Sequence, residues 1–424
     1  MKSLAALVFL SLSAFGEVRT MTLRQALDLA LSQNPDILLA RLDQQRARQQ
    51  VIIARDPFVP KVYGGTGAAY THGFPTSIDG AAPSIFQART QMSLFNRPQS
   101  YQLAQANEAI RGADIDVASK QDQVAYRVAA LFLDAELAAK SLTSAERQID
   151  SLTRMQTLVE SRVSEGRELP IETRRAVVNV ARARQSVANL SADLIRAELT
   201  LAEALALGPD DRVRPAVEDR TAIELPPEDR SIEQALDASK DLKRLESNLQ
   251  LKILEAKQHQ SERLPKINLV AQYNLLAKYN NYEKFFNRFQ YHNWQLGASF
   301  EFPLLNGRAF SAATTQAQID ASKIRIEVGR TRSKIASELR QTFQEVHRAE
   351  SARDLARADL DLAREQITVN LAQFEEGRLP MARVEEARAS EQEKWLAYYS
   401  SQHTVERARL DILHQSGTLL AALR

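Results

Sequence analysis

The sequence of 424 residues contains no cysteine. Disulfide staples, thiolate nucleophiles and cysteine-based zinc sites are therefore excluded, as is a lipid anchor on an N-terminal cysteine. Long apolar runs are missing too. No window approaches the roughly 20 apolar residues a bilayer-spanning helix needs, so any membrane crossing has to use strands. Charge of one sign is also lacking: 55 basic and 53 acidic residues leave a formal net charge of +2. The two signs are interleaved rather than blocked, and no nucleic-acid partner is expected. The six histidines, His72, His259, His292, His347, His403 and His414, contain no HExxH and no pair four apart, so no metal site is expected. GGTGAAY at Gly64 to Tyr70 lacks the third glycine and the following helix of a dinucleotide loop. Neither GxxxxGK[ST] nor GxSxG occurs, so no cofactor and no enzymatic activity are expected.

The sequence does contain an export signal and a repeat. Lys2, the apolar stretch Leu4 to Leu12, and the small residues Ala14 and Gly16 read as a signal peptide over residues 1–16, with the mature chain starting near Glu17. Beyond it the chain repeats once, at a distance of about 210 residues. LRQALDLA from Leu23 returns as IEQALDAS from Ile232, and VPKVYGGTGAAY from Val59 as LPKINLVAQYNL from Leu264. SLFN at Ser93 to Asn96 returns as PLLN at Pro303 to Asn306, and SEGRELP at Ser164 to Pro170 as EEGRLP at Glu375 to Pro380. The order and spacing give a first repeat over 17–209, a charged and proline-rich linker over 210–230, and a second repeat over 231–424.

Each half reads as helix, two strands, long helix, helix. Helices are expected at 22–57, 98–164 and 171–207, and again at 231–262, 308–376 and 380–416, separated by glycine and proline breakers. At about 1.5 Å of rise per residue each long helix would extend roughly 100 Å, and its two companions stacked end to end would match it. Leu103, Ile110, Val117, Val124, Leu131, Ala138, Ala145, Leu152 and Val159 fall seven apart, echoed by Ala321, Val328, Ile335, Thr342, Ala349, Ala356 and Ala363. Such spacing belongs to helices packed side by side as coiled coils.

The strands carry the membrane argument. Phe86, Ala88, Thr90, Met92 and Leu94 alternate with Ile85, Gln87, Arg89, Gln91 and Ser93. Ile267, Leu269, Ala271, Tyr273 and Leu275 alternate with Asn268, Val270, Gln272 and Asn274, and Trp294, Leu296, Ala298, Phe300 and Phe302 with Gln295, Gly297, Ser299 and Glu301. Segments of about ten residues with this period match tilted membrane strands. Phe86, Met92, Leu94, Leu269, Tyr273, Trp294, Leu296, Phe300 and Phe302 are the candidates for facing lipid. Four strands cannot close around a channel, and an open edge in lipid leaves backbone groups unpaired, so other copies would have to complete a barrel. Soluble hairpins capping a helical bundle would also show this period. Tyr70, Tyr273, Tyr291 and Trp294 lie where an interfacial aromatic belt is expected, and 72–83 and 278–290 read as outer loops.

From LRQALDLALSQNPDI to EGRLPMARVEEARAS and the last helix, the whole mature chain resembles the TolC family of outer-membrane factors. The resemblance implies a mainly α fold with a small β part. Three copies would each give four strands to one transmembrane β-barrel and their coiled-coil helices to a periplasmic α-barrel. It further implies localisation in the outer membrane, within outer-membrane lipid and with a long periplasmic extension. The function implied is a passive exit duct of a tripartite efflux or type I secretion system, served by a periplasmic adaptor (membrane fusion) protein and an inner-membrane pump. By resemblance, the turns carrying Gly166, Arg167, Leu169, Pro170 and Gly377, Arg378, Leu379, Pro380 would be exposed tips that dock the adaptor. Relatives place two acids at the narrow end of the tube, six and nine residues after the second glycine. Here those positions are Arg383 and Glu386, with Glu385 adjacent, so a gate or selectivity ring at Arg383, Glu385 and Glu386 is expected to be partly neutralised by pairing at i and i+3. A soluble periplasmic coiled-coil adaptor or scaffold remains the alternative.

Overall fold

The computed structural model describes residues 17–67, 84–216, 225–276, 292–304 and 307–423. The signal peptide, both outer loops, Tyr70 and Tyr291 lie outside the described residues. The chain forms two compact units. One is built from the described parts of 40–117 and 240–331, the other from those of 1–39, 118–239 and 332–424.

The second of these units is helical except for one pair of short strands. Its elements are β1 (Val18–Met21), α1 (Leu23–Gln33), the start of α2 (Pro35–Arg55), the later part of α3 (Arg97–Ser164), α4 (Pro170–Ala204), β4 (Arg212–Pro215), α5 (Glu228–Ala238), the later part of α7 (Ala309–Glu375), α8 (Met381–Gln415) and α9 (Leu419–Ala422). α3 and α7 have 68 and 67 residues, and α4 and α8 have 35 each. The main core joins Leu23, Leu27 and Ile37 to Val128 and Phe132 of α3, Leu201 and Leu205 at the end of α4, and Leu410 and Leu413 of α8. A parallel core in the second half joins Ile232 and Ala235 of α5 to Leu339, Phe343 and Val346 of α7 and Ile412 of α8. None of the residues in the two heptad series is exposed, so the spacing marks inward faces. α7 carries a second inward series, Leu339, Val346, Leu360, Ile367 and Phe374, interrupted by Arg353 and offset by three or four from the first. The two series together form a complete coiled-coil seam.

The structure differs from the sequence reading in three places. The helix expected over 22–57 is two helices, because Pro35 disfavours a helical conformation at Asn34, whose backbone is extended at φ −61°, ψ 128°. Asn34 then caps α2 through its Oδ1, which accepts from the Asp36 N–H at 2.9 Å, and its Nδ2 donates to the Ala204 carbonyl at 3.0 Å. The helix expected over 231–262 is likewise divided at Ser239 into α5 and α6 (Lys240–Ser261). The linker 210–230 is not featureless: β4 lies within it and pairs in parallel with β1, and α5 begins at Glu228. Glu198 of α4, with 0% side-chain exposure, ties this pair down through Arg214 at 2.6 Å and Arg212 at 3.8 Å.

The two halves end their helices alike. α3 stops at Gly166 (φ 72°) and α7 at Gly377 (φ 73°). In each, the next N–H bonds back to a carbonyl of the last turn, Arg167 to Arg162 at 2.9 Å and Arg378 to Gln373 at 2.8 Å. α4 and α8 end in the same motif, with Leu207 bonding to Ala202 at 3.1 Å and Thr418 to Leu413 at 3.0 Å. The left-handed residue is Gly417 (φ 70°) in one case and Ala206 (φ 56°) in the other.

The unit containing 40–117 and 240–331 carries the sheet. β2 (Lys61–Gly67), β3 (Ser84–Phe95), β5 (Lys266–Leu276) and β6 (His292–Glu301) pair antiparallel in the order β2-β3-β5-β6. Close packing of its helices is visible at Gly112 of α3, where a Cβ would fall on the Arg244 guanidinium. The absent side chain lets Arg244 reach Asp116 at 3.0 Å.

Candidate functional site

The sheet register sorts the strand residues into two faces. Ala88 pairs with Tyr273 and Tyr273 with Trp294; Thr90 pairs with Ala271 and Ala271 with Leu296; Met92 pairs with Leu269 and Leu269 with Ala298. Since directly opposed residues share a face, these form one apolar surface. Trp294, Leu296, Phe300 and Phe302 on or just beyond β6 are 61–75% exposed. Phe86 and Leu94 are exposed as well, whereas Met92, Leu269 and Tyr273 are half-buried. One candidate shifts phase: a bulge between Ser93 and Phe95 makes Leu94 an extra residue, and Phe95 takes its place opposite Ile267 on the apolar face. Simple alternation could not reveal this, since both residues are apolar. The opposite face is polar, with rungs Gln87–Asn274–Asn293, Arg89–Gln272–Gln295 and Ser93–Asn268–Ser299.

In the helical unit the two turns are near copies. Arg167 folds back on Glu165 at 3.3 Å and Arg378 on Glu376 at 3.1 Å, with both arginines largely exposed. Pro170 is the first residue of α4 and Pro380 the cap preceding α8. The leucines differ. Leu169 is 68% exposed, but Leu379, expected to be exposed, is half-buried against the cluster of Met155, Val159, Phe374, Met381 and Val384. The first turn is one residue longer, with Arg167, Glu168 and Leu169 between Gly166 and Pro170 against Arg378 and Leu379 between Gly377 and Pro380.

Arg383 and Glu386 pair at 2.9 Å, and both are about two-thirds exposed. Glu385 does not join them. Neighbours on a helix point about 100° apart, and Glu385 turns toward α4, where its Oε2 accepts from Asn179 Nδ2 at 2.7 Å. Burial, and secondarily the negative charge of Glu172, raise its pKa above the usual carboxylate value, against the Asn179 hydrogen bond and Arg175. A groove of about 830 Å³ opens here, lined by Leu152, Ile171, Arg175, Asn179, Glu385 and Glu386.

Two further surfaces escaped the sequence reading. On α4, Ile171, Arg174, Val178, Ala181, Gln185, Ala188, Ala192, Ile195 and Leu199 follow the alternating four–three spacing of a coiled-coil seam, and every one is exposed. On α7, Leu355, Ala358, Leu362 and Val369 form a second exposed stripe, with the leucines 65% and 64% exposed. A helix whose apolar series runs along two faces has two partners to cover. Among the described residues, no helix is long and apolar enough to cross a membrane.

A fold of two matching halves, each with paired long helices and two strands on a shared sheet, is that of the outer-membrane channels. The Campylobacter jejuni CmeC outer membrane channel superposes with a TM-score of 0.76 at 12% identity, over 94% of this chain and 86% of that one. VceC, an outer membrane protein of Vibrio cholerae, gives 0.75 at 14%, over 93% and 96%. The open state of the Neisseria gonorrhoeae MtrE outer membrane channel gives 0.70 at 16%, over 94% and 89%. A search of curated proteins returns no match by sequence. The model of the outer membrane efflux protein family matches residues 26–207 and again 231–423. The chain belongs to the outer membrane efflux protein family, an outer-membrane protein with an internal repeat, and the reading as a soluble adaptor or scaffold falls with that match.

Proposed function

We propose that the chain is the subunit of a passive outer-membrane exit duct in a tripartite efflux or type I secretion system. Three copies close one barrel of twelve strands, and their helices form a periplasmic tube. A periplasmic adaptor binds the tips around Gly166, Arg167, Leu169 and Pro170 and around Gly377, Arg378, Leu379 and Pro380. An inner-membrane pump supplies the energy, and the chain itself performs no catalysis. Residues 1–16 are removed on export, and the two repeats, 17–209 and 231–424, alternate around the tube.

The observation that carries this reading is the four-stranded sheet, apolar on one face and polar on the other, with β2 and β6 left as open edges. In lipid those edges have no water to satisfy them and must pair with further strands. The exposed stripes on α4 and α7 support the same assembly, because a second copy offers each stripe an apolar partner. At the narrow end Arg383 and Glu386 form a mixed ring whose neutralisation weakens cation preference, with Glu385 held back in the groove toward α4. The apolar face, from Phe86 and Met92 through Leu269 and Tyr273 to Trp294, Leu296, Phe300 and Phe302, with Leu94 at the bulge, meets lipid. Fractionation of cells expressing the full chain, followed by mass determination of the detergent-solubilised species, tests the proposal. A trimer in the outer membrane supports it, and a soluble periplasmic monomer overturns it.

A further inference from the structure

The polar face of the sheet holds a charge that the duct reading alone does not use. Its rungs run Gly65–Gln87–Asn274–Asn293, Tyr63–Arg89–Gln272–Gln295, Lys61–Gln91–Val270–Gly297 and Ser93–Asn268–Ser299. Ten of these fifteen residues carry a neutral amide or hydroxyl, and the only charged ones are Lys61 and Arg89. Lys61, at the start of β2, is paired with Asp56, and Lys266, at the start of β5, with Glu301 at 3.9 Å. Arg89 lies in mid-sheet and is exposed, and among the described residues no carboxylate pairs with it. The rung beside it carries Val270 and Gly297, and a Cβ on Gly297 would meet nothing within 4 Å, so the face there is open.

We propose that Arg89 is a specificity-determining residue: repeated once per copy around the barrel lumen, it forms an anion-attracting ring that favours anionic over cationic solutes in transit. The inference rests on the duct reading, which places the polar face toward water. Rings of arginine or lysine select anions because fixed positive charges raise the local concentration of the opposite sign, and the effect is strongest where the wall is otherwise uncharged. Amide side chains around Arg89 hydrate the lumen without compensating its charge.

The absence of cysteine makes the test clean, because a single introduced thiol is the only one in the chain. Gln91 is exposed on the same face, two residues along β3 from Arg89, a separation of about 7 Å. The full-length Gln91→Cys protein, in intact outer membranes, is reacted with an anionic sulfonatoethyl and a cationic trimethylammonioethyl methanethiosulfonate. Its anionic-to-cationic rate ratio is compared with that of Gln91→Cys/Arg89→Gln. A partly screened unit charge at this distance biases the two reagents apart by about two- to five-fold, so Arg89→Gln is expected to lower the ratio by that factor. An unchanged ratio at a reactive Gln91→Cys overturns the role of Arg89 and leaves the duct intact. Unreactive Gln91→Cys beside reactive Met92→Cys reverses the faces of the sheet and overturns both.

Discussion

Replacing Leu355 and Leu362 with alanine should dissolve the assembly while leaving the subunit folded. The two leucines are 65% and 64% exposed on the single chain. Burying a whole leucine is worth about 1.5–3 kcal/mol, so the exposed two-thirds represents about 1–2 kcal/mol at each position. Alanine keeps a small part of this, and the pair then removes about 2–3 kcal/mol from each subunit contact. A closed ring of three subunits contains three such contacts, for a total of about 6–9 kcal/mol, or roughly four to six powers of ten in the trimer–monomer equilibrium. Neither leucine belongs to a core cluster of its own chain, so subunit stability should change by less than about 0.5 kcal/mol. Mass photometry of detergent-extracted protein across a dilution series reads the equilibrium directly, with circular dichroism confirming the helices. A double variant that stays trimeric down to the same concentration as the wild type would refute the assignment of the α7 stripe to the subunit interface.

Other consequences concern the helix ends, the groove and the tip. Ala206→Gly should stabilise the helical unit by about 1 kcal/mol, because alanine bears a left-handed conformation there that glycine adopts freely. Gly417→Ala at the matching end of α8 should destabilise it by about 2 kcal/mol or more, adding a contact of 2.6 Å with the Ala238 Cβ to the backbone strain; thermal unfolding of both variants checks the pair. Partial burial makes Glu385 bind its proton more tightly in the folded state than an ordinary carboxylate, whose pKa is 4.5. Its contribution is therefore greatest below about pH 4.5 and is lost as pH rises through the elevated folded value. Glu385→Gln should raise stability at pH 7 and flatten the profile above about pH 4.5, and an unchanged profile would count against the strained, half-buried carboxyl there. Glu386→Ala frees Arg383 and should shift planar-bilayer selectivity toward anions; unaltered ion selectivity and block by trivalent cations would remove the ring.

Most of the architecture was legible because the breakers are local. Gly166, Pro170, Gly377 and Pro380 mark helix ends by backbone chemistry alone; α3 and α7 run within a residue of their expected limits, whereas α4 ends three residues before the expected 207. Pro35 carried the same information about the break between α1 and α2, but the apolar period continued across it and hid the break. β1 and β4 have four residues each, too short for alternation to register. Their pairing depends on Glu198 and its two arginines, a contact no local pattern encodes. At the tip the pairing of Arg383 with Glu386 followed from helical spacing. The turning of Glu385 toward Asn179 needed α4 in place. The stripes on α4 and α7 obey the same heptad rule as the inward seams, and only burial distinguishes a seam filled within the chain from one the chain leaves exposed.

The central claim is that the apolar face of the sheet meets lipid and the polar face meets water. Spin labels placed singly along β5 from Asn268 to Asn274, in protein reconstituted into bilayers, test it most directly. Residues 269, 271 and 273 should collide with dissolved oxygen, and 268, 270, 272 and 274 with a water-soluble nickel chelate, in strict alternation. Uniform access of the chelate to every position would mean a sheet in solution and would contradict the account.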